Sequence, residues 1–426
     1  KSSQGVFRFK QDGSDFEFIQ GTSNNTWGLD LTAEGNIVGS TANGNPSWYV
    51  DMPNRYLKGT GVKPKRTPRA DSKEPFYPLT FDYLQVDVKE SVTAGAGHSI
   101  YNASLFPKEW WGQRAFICAP TGKMVVAPRF ETRGAGFKTY GFENNIYATA
   151  DSWSAPVAVE VGPDGAVYIA DWYNSIVQHN VYGNEQKKGI GNAYITEHRD
   201  RKHGRIYRIA PKGAKPKAYP KLSNVEEQLQ ALGNDNLFWR LTAQRLLLEN
   251  KRPSFDQLNK LIESDTVSSI HALHILAQVA DQKQLSEQSQ KALESKTSGL
   301  SVAAIGYLEK SEAIAKSLLA KVDGADVHVQ KATLLYFASL PKSSDLLGAL
   351  KRKKGVFQKD KTLLHSLTVA LAKHGANPNT VNEKKRHFAL SESAKRGEKV
   401  YKQATCVACH QPGGEGVAGT FPPLNK

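Results

Sequence analysis

Only three cysteines and two methionines occur among the 426 residues, and the apolar runs are short. So few cysteines exclude a small fold held together by many disulfides. No apolar run approaches the roughly 18 residues that a membrane helix needs, so we expect no membrane span in this sequence. Hydrophobic residues make up 39% and charged residues 23% of the chain, a balance typical of globular domains rather than of disordered chains.

The sequence begins at Lys1 and lacks a basic and then apolar leader, so we expect an excised segment of a longer protein. Lys and Arg outnumber Asp and Glu by 56 to 41, and the net charge of +15 favours anionic partners or surfaces. The basic clusters lack interleaved aromatic residues for base stacking; they lie at 63–66, 351–354 and 384–386. We therefore expect no binding of nucleic acid.

Residues 1–211 are rich in Gly, Asn, aromatic and β-branched residues, which predicts an all-β region. Residues 27–31 lead to a turn at Gly35, and residues 157–161 lead to a turn at Gly165. The two glycines lie 130 residues apart, close to three propeller blades of about 43 residues each. This repeat predicts a β-propeller.

A second repeat pairs residues 5–9 with residues 204–209, each a short strand with an Arg between apolar residues. A six-bladed propeller needs about 260 residues, so residues 1–211 hold only four or five blades. We therefore expect an incomplete propeller whose N-terminal blades are missing from this sequence.

The composition changes after residue 211. Residues 212–222 are rich in Lys and Pro and indicate a linker. From 223 to about 390, Leu and Ala recur at helical spacing, which predicts the stacked helix pairs of a HEAT-like α-solenoid. The first apolar stripe contains Leu229, Leu232, Trp239, Leu241, Ala243, Leu246 and Leu247. His271 and His274 have no third metal ligand near them in sequence, so we interpret them as packed histidines.

The strongest chemical motif lies near the C-terminus. Cys406, Cys409 and His410 have the spacing of covalent haem c attachment, in which two thiols bond the haem vinyl groups and the histidine ligates iron. No second Cys-x-x-Cys pair supports a zinc site, and no βαβ pattern supports a thioredoxin site. A labile metal site or a plain disulfide stays open as an alternative. We expect the remaining cysteine, Cys118, to be a buried strand residue.

Residues 391–426, which begin with a predicted helix at 391–403, resemble the first third of a class I cytochrome c. Gly397, Tyr401, the Cys-x-x-Cys-His motif and the Phe-Pro-Pro-Leu sequence at 421–424 carry the resemblance. It implies that His410 is the proximal iron ligand and that a later methionine is the distal ligand. It also implies an oxidising compartment, the bacterial periplasm or cell envelope. Both methionines of the chain lie in the β region, so we expect the distal ligand beyond the residues given.

The order of the three regions resembles the large propeller–HEAT–cytochrome proteins of planctomycetes and verrucomicrobia, often described as membrane-bound dehydrogenases. The segments that carry this resemblance are 24–28, 39–46, 97–102, 171–174, 178–180 and 203–208. The propellers of those proteins are distantly similar to soluble quinoprotein sugar dehydrogenases, which use pyrroloquinoline quinone (PQQ) and calcium. The resemblance implies that a sugar or another alcohol is oxidised at the propeller and that electrons leave through the haem to a redox partner protein.

His98 and His179 are the candidate catalytic bases, because the polar Asn and Trp residues beside them fit a funnel mouth better than a core. Side chains that could bind substrate or calcium are Asn43, Asn45, Asp171, Gln178 and Asn180. The segment 171–174 also fits a simple blade turn, since Asp and Asn bond to their own backbone.

Two hypotheses compete with a dehydrogenase. In one, the propeller and solenoid bind a ligand or partner without catalysis, and the cytochrome only relays electrons. In the other, the protein is a surface adhesin in which the haem is incidental.

Overall fold

A computed structural model describes residues 4–71, 73–80, 95–177, 200, 202–250, 252–378 and 400–401. The chain divides into two compact units, Lys1–Pro378 and Asn379–Lys426. In the second unit the described residues are Val400 and Tyr401, which are helical and fall within the helix predicted for 391–403.

The first part of unit 1 is built of β-strands, as the composition predicts. The strands in the described residues are β1 Gly5–Arg8, β2 Glu17–Gly21, β3 Thr26–Leu31, β4 Ile37–Thr41, β5 Trp48–Tyr49, β6 Ala96–Ile100, β7 Ala115–Ala119, β8 Met124–Val126, β9 Arg129–Arg133, β10 Gly136–Tyr140, β11 Asn145–Ala148, β12 Pro156–Val161, β13 Val167–Asp171 and β14 Arg205–Ile209. They form antiparallel sheets in the orders β3-β4-β5, β6-β7-β8-β11 and β12-β13-β14, together with the hairpins β1-β2 and β9-β10.

The 130-residue repeat is confirmed as a repeated hairpin. The pairs that close the two hairpins are Leu31 with Ile37 in β3-β4 and Val161 with Val167 in β12-β13. Both turns contain a glycine with positive φ, 83° at Gly35 and 80° at Gly165, a conformation that strains any other residue. The two hairpins therefore have the same strand register and the same turn conformation.

The hairpin β6-β7 shares an irregularity with these two. The register shifts near the start of each first strand, between Thr26 and Gly28 in β3, Ala96 and His98 in β6, and Pro156 and Ala158 in β12. Such a bulge adds one residue and increases the local twist of the strand. Three sheets thus begin with the same bulged strand, although the sequence shows only two of them as a repeat.

The first strands of these sheets lie side by side at matching levels. A Cβ atom on Gly28 would lie 2.6 Å from the backbone nitrogen of His98, and one on Gly97 would lie 2.9 Å from the Cα atom of Ala158. Each second strand runs antiparallel to its first strand, so the loops after β4, β7 and β13 leave from the end at which β3, β6 and β12 begin. We call this end the loop face (residues 42–47, 120–123 and 172–174).

The rest of unit 1 is helical, which confirms the second predicted region as far as residue 378. The helices in the described residues are α1 Val225–Ala231, α2 Leu237–Glu249, α3 Phe255–Glu263, α4 Val267–Val279, α5 Gln282–Ala292, α6 Ser298–Tyr307, α7 Glu312–Lys321, α8 Val327–Ala338, α9 Ser344–Arg352, α10 Lys354–Phe357 and α11 Lys361–Lys373. Residues 212–222 form neither helix nor strand.

One position of the predicted apolar stripe is wrong. Leu241 is 42% exposed, whereas its neighbour Arg240 is only 6% exposed. Arg240 Nη1 donates a hydrogen bond of 2.7 Å to the backbone oxygen of Asn234, just before the helix. Arg240, Ala243 and Leu247 lie three and four residues apart and share the buried face of α2, so Leu241 lies on a different face of the helix.

His271 and His274 are packed, as predicted. His271 Nδ1 lies 2.7 Å from Gln244 Oε1, and His274 Nδ1 lies 2.8 Å from the hydroxyl oxygen of Tyr307. Burial lowers the pKa of His271 to about 3, which keeps this side chain neutral.

The strands and helices of unit 1 are joined where α2 begins. Asn236 Nδ2 donates a hydrogen bond of 2.9 Å to the backbone oxygen of Gly162, in the β12-β13 turn. Trp239 Nε1 donates to the backbone oxygen of Pro163 at 2.8 Å. Two side-chain hydrogen bonds therefore join the first turn of α2 to the β12-β13 turn.

The structure shows a β region followed by a helical region. The described strands do not close into a ring, so the β-propeller and the HEAT-like solenoid stay predictions. The domain limits 1–211, 212–222, 223–390 and 391–426 stay predictions too. Among the described helices, none is both long and apolar enough to cross a bilayer.

Candidate functional site

His98 lies in the bulge of β6 at the loop face and is enclosed rather than open. Its side chain is only 2% exposed, and its Nε2 atom lies 3.1 Å from the hydroxyl oxygen of Ser47. The expected position at a funnel mouth is therefore wrong for this residue. The physical reason is the close packing of the β3-β4-β5 sheet, which brings Gly28 and Ser47 against it.

Burial has a chemical consequence for His98. It lowers the pKa of the imidazole to about 3, because a charged ring would lose its hydration. The Nδ1 atom has no hydrogen-bond partner among the described residues. In the tautomer whose Nε2–H donates to Ser47, the unpaired Nδ1 atom can accept a proton, which is the role predicted for His98, but a pKa of about 3 makes it a weak base near neutral pH.

Further polar atoms without partners lie close to this histidine. Asn45 is 2% exposed, and neither its Oδ1 nor its Nδ2 atom has a hydrogen-bond partner in the described part of the chain. The same holds for the hydroxyl of Ser40, which is fully buried on the neighbouring strand β4. Buried polar groups are normally paired, so this group of atoms points to a bound polar species or water. We call Ser40, Asn45, Ser47 and His98 the polar cluster.

Asn43, another predicted ligand, lies in the same loop as Asn45. Its backbone oxygen accepts a hydrogen bond of 2.9 Å from the Thr41 hydroxyl. The Thr41 backbone nitrogen in turn donates to the Asn45 backbone oxygen at 2.9 Å. These bonds hold the loop in a fixed turn at the edge of the polar cluster.

Asp171 ends β13 at the same loop face, but its carboxylate is fully engaged. Oδ1 accepts backbone hydrogen bonds from Ala155 at 2.6 Å and Tyr173 at 3.0 Å. Oδ2 accepts from the Ser154 hydroxyl at 3.1 Å and from Arg205 Nη2 at 2.8 Å. Asp171 therefore stabilises the turn at 171–174, one of the two roles that the sequence left open for this segment.

Sequence reasoning missed two basic residues beside Asp171. Arg205 bridges Asp171 and Asp151, with Nη2 lying 3.0 Å from Asp151 Oδ2. Lys123 is 1% exposed at the tip of the turn before β8, and burial lowers the pKa of its ammonium group to about 8. Tyr173 lies under the Arg205 guanidinium at 4.3 Å. An Arg in the repeat 204–209 was visible in the sequence, but no local signal marks a buried Lys.

The remaining predicted site residues lie outside the described residues. They are His179, Gln178 and Asn180 in one segment, and Cys406, Cys409 and His410 in the haem motif. Cys118 is described, and it is fully buried in β7, as predicted.

Calcium does not fit the described ligands. Both oxygens of Asp171 are taken by protein donors, and Arg205 already balances its charge. The described residues contain no group of three or more His, Cys, Asp or Glu side chains able to hold a metal ion. The polar cluster is also too enclosed around His98 to assign PQQ a position there. Haem c fits its motif, because two thiols and a histidine are the donor set that it needs.

Comparison with known proteins identifies the C-terminal region first. Residues 394–426 match the family described as Cytochrome c, and this match contains Cys406, Cys409 and His410. The protein therefore carries a cytochrome c domain, with the covalent haem, the electron transfer and the redox partner that such a domain implies. Residues 1–213, half of the chain, match the family described as Domain of unknown function (DUF7133), and the chain belongs to this family.

One solved structure with some similarity is a chain named glucose dehydrogenase. The two share 18% identity at a TM-score of 0.21, over 36% of this chain and 39% of that chain. The similar part thus spans about two fifths of the solved chain. No curated protein matches the sequence.

Proposed function

We propose that the protein is a haem c dehydrogenase that oxidises a sugar or another alcohol in its β region and passes the electrons to the C-terminal haem. The observation that carries the proposal is the Cys406, Cys409 and His410 motif inside a cytochrome c match. A haem in the same chain as a β region supplies a one-electron outlet for an oxidation. We also propose a periplasmic or cell-envelope location, where such haems are attached.

The polar cluster supports a role for His98 in proton transfer. Oxidation of an alcohol to a carbonyl removes two electrons and two protons. The unpaired Nδ1 atom of His98 is one acceptor for the hydroxyl proton, but its pKa of about 3 makes it a weak base, so this residue supports the proposal through its geometry alone. Because haem takes one electron at a time, a two-electron acceptor must lie between alcohol and haem. A quinone such as PQQ is the class that we propose, and no described residue is assigned to it. His179 stays the second candidate base.

A second function is favoured by the enclosure of His98. If the imidazole stays closed to substrate, the β and helical regions bind a ligand or partner, and the cytochrome only relays electrons. The two functions differ in the source of the electrons.

Haem absorbance separates them. The haem-loaded full-length protein is mixed with PQQ, calcium and a panel of sugars and simple alcohols, and the reduced haem band is followed. Reduction that depends on one alcohol supports the dehydrogenase, and a C406S/C409S variant should show none. Quinone binding without reduction by any alcohol would overturn the dehydrogenase and leave the relay.

A further inference from the structure

A cavity of about 480 Å³ lies at the end of the sheets opposite the loop face. Its walls come from the β3-β4 turn, the segment after β6, the hairpin β9-β10 and the first turns of α6 and α8. The volume falls within the roughly 300–1,000 Å³ of small-molecule sites. None of the residues of the polar cluster lines it, so it is a separate site.

The polar side of this cavity offers both donors and acceptors without a basic residue. Three side-chain amides and three hydroxyls line it, those of Asn36, Asn102, Gln113, Thr32, Thr132 and Ser298. No Lys or Arg lines it and two carboxylates do, those of Glu34 and Glu131, which argues against anionic ligands such as phosphates. Glu131 is already engaged, since its Oε1 atom accepts from the Tyr140 hydroxyl and lies 3.7 Å from Arg129 Nη1. Amide and hydroxyl groups pair well with the hydroxyl groups of a neutral ligand.

Glu34 and the start of α6 add a charged acceptor beside backbone donors. A Cβ atom on Gly299 would lie only 2.8 Å from Glu34 Cγ, so this glycine permits their contact. The N-cap residue Thr297 makes no side-chain cap bond, which leaves first-turn N–H groups of α6 at the wall. A hydroxyl group can donate to the carboxylate and accept from such an N–H group at once.

The floor of the cavity is apolar. The rings of Phe130 and Phe137 are stacked at 5.0 Å with an angle of 18°. The imidazole of His328 lies 5.6 Å from the Phe137 ring, and burial lowers its pKa, so it adds no positive charge. Thr132 pairs with Phe137 across the hairpin and therefore shares this face. An apolar floor under hydroxyl-binding walls suits a ring with polar edges and an apolar face.

We infer that this cavity binds a neutral saccharide of one or two sugar units, held by Glu34, Gln113 and the Asn36 and Asn102 amides over the Phe130–Phe137 floor. Binding needs neither haem nor an electron acceptor, so the inference stands apart from the proposed dehydrogenase.

Calorimetric titration of the full chain with glucose, xylose, cellobiose and maltose tests it, with glucose 6-phosphate and glucosamine as charged comparisons. We expect a neutral sugar to bind with a Kd in the micromolar to millimolar range. Glu34→Gln and Gln113→Ala change exposed side chains, and each should weaken binding about tenfold. Thr132→Trp should fill the cavity and abolish binding.

Glu287→Gln, an exposed change on α5, is the matched control and should bind like the parent chain. Unchanged affinity in all three cavity variants would overturn the site. Binding of glucosamine or glucose 6-phosphate alone, or of no sugar at all, would overturn the ligand class. Haem reduction by an alcohol that persists in Thr132→Trp would show that the alcohol is oxidised elsewhere than in this cavity. The sugar-binding site is still judged by the calorimetric titration alone.

Discussion

The Nε2 atom of His98 lies 3.1 Å from the hydroxyl oxygen of Ser47, 51 residues earlier in the chain. This contact joins the bulge of β6 to the loop before β5, and it encloses the imidazole. The enclosure affects stability, because burial disfavours the protonated ring and a proton therefore binds more readily to His98 in the unfolded chain.

We predict that the chain loses stability below pH 6.5 partly through His98. Its pKa is about 3 in the folded chain and 6.5 ordinarily, so between these values the unfolded chain binds the extra proton. Stability therefore falls as the pH falls, by about 2 kcal/mol for this residue between pH 7 and pH 5. Urea unfolding at the two pH values should show a smaller drop in His98→Gln. His203→Gln, at an exposed histidine, should keep the full drop.

A second prediction concerns how the free energy of unfolding depends on Lys123 at alkaline pH. Burial lowers its pKa to about 8 from 10.5, so the folded chain bears the cost of a buried charge below pH 8. That cost disappears as the pH rises towards 10.5, where both states are neutral. We expect Lys123→Met to raise the free energy of unfolding by about 1–3 kcal/mol at pH 7 and by much less at pH 10. An equal gain at both pH values would contradict the assigned cause.

Arg205 and Arg208 form a natural comparison on strand β14. Arg205 pairs with Asp171, whose side chain is fully buried, and also with Asp151, whereas Arg208 pairs with Asp164 alone, whose side chain is 7% exposed. The two arginines are themselves partly exposed, at 34% and 43%. Arg205→Met leaves a buried carboxylate without either cation contact and should cost about 3 kcal/mol in chemical denaturation. Arg208→Met breaks a single pair and should cost less, about 1 kcal/mol. Similar losses in both variants would show that Asp171 does not depend on Arg205.

Asn236 should be worth more than an ordinary helix cap. Its side chain caps α2 by accepting a bond from the Phe238 N–H group and also donates to Gly162. Asn236→Ala should therefore cost about 2–3 kcal/mol, the sum of a cap and a buried hydrogen bond. Ser343→Ala, which removes only a cap from α9, should cost about 1 kcal/mol. Urea unfolding of both variants and of the parent chain measures the two losses in stability.

A further prediction concerns the haem motif in the C-terminal region, residues 391–426. Cys406→Ser combined with Cys409→Ser should remove all colour that stays with the denatured polypeptide, because both thioether bonds are lost. Cys118→Ala, at a fully buried cysteine in β7, should keep that colour. Haem staining of a denaturing gel reads both variants. A coloured double variant would rule out covalent attachment at this motif.

The sequence predicts local features well where one residue sets the backbone. Gly35 and Gly165 mark the matched turns because only glycine adopts their positive φ without strain. The haem motif is equally visible, since its chemistry depends on neighbours in the chain. The β region, the helical region and the buried Cys118 follow from composition and periodicity.

What the sequence could not predict depends on contacts between distant residues. His98 is closed by Ser47, and Asp171 is neutralised by Arg205, 34 residues later. Neither partner differs locally from an ordinary serine or arginine. The exposure of Leu241 likewise depends on which face of α2 packs against its neighbours, and that face contains Arg240. The cavity at the opposite end combines strands and helices that lie up to about 300 residues apart, a grouping that no local pattern encodes.

The hairpins β3-β4 and β12-β13 have the same strand register and turn conformation, but their turn side chains differ. The strand pairs that flank the two turns lie 130 residues apart in the sequence, and the turns 32–36 and 162–166 have the same backbone conformation. Only the first of them presents a carboxylate, Glu34, to the cavity, while the second anchors α2 through Asn236. One turn shape therefore occupies two different settings: the first copy faces the cavity, and the second is an attachment point for the helices.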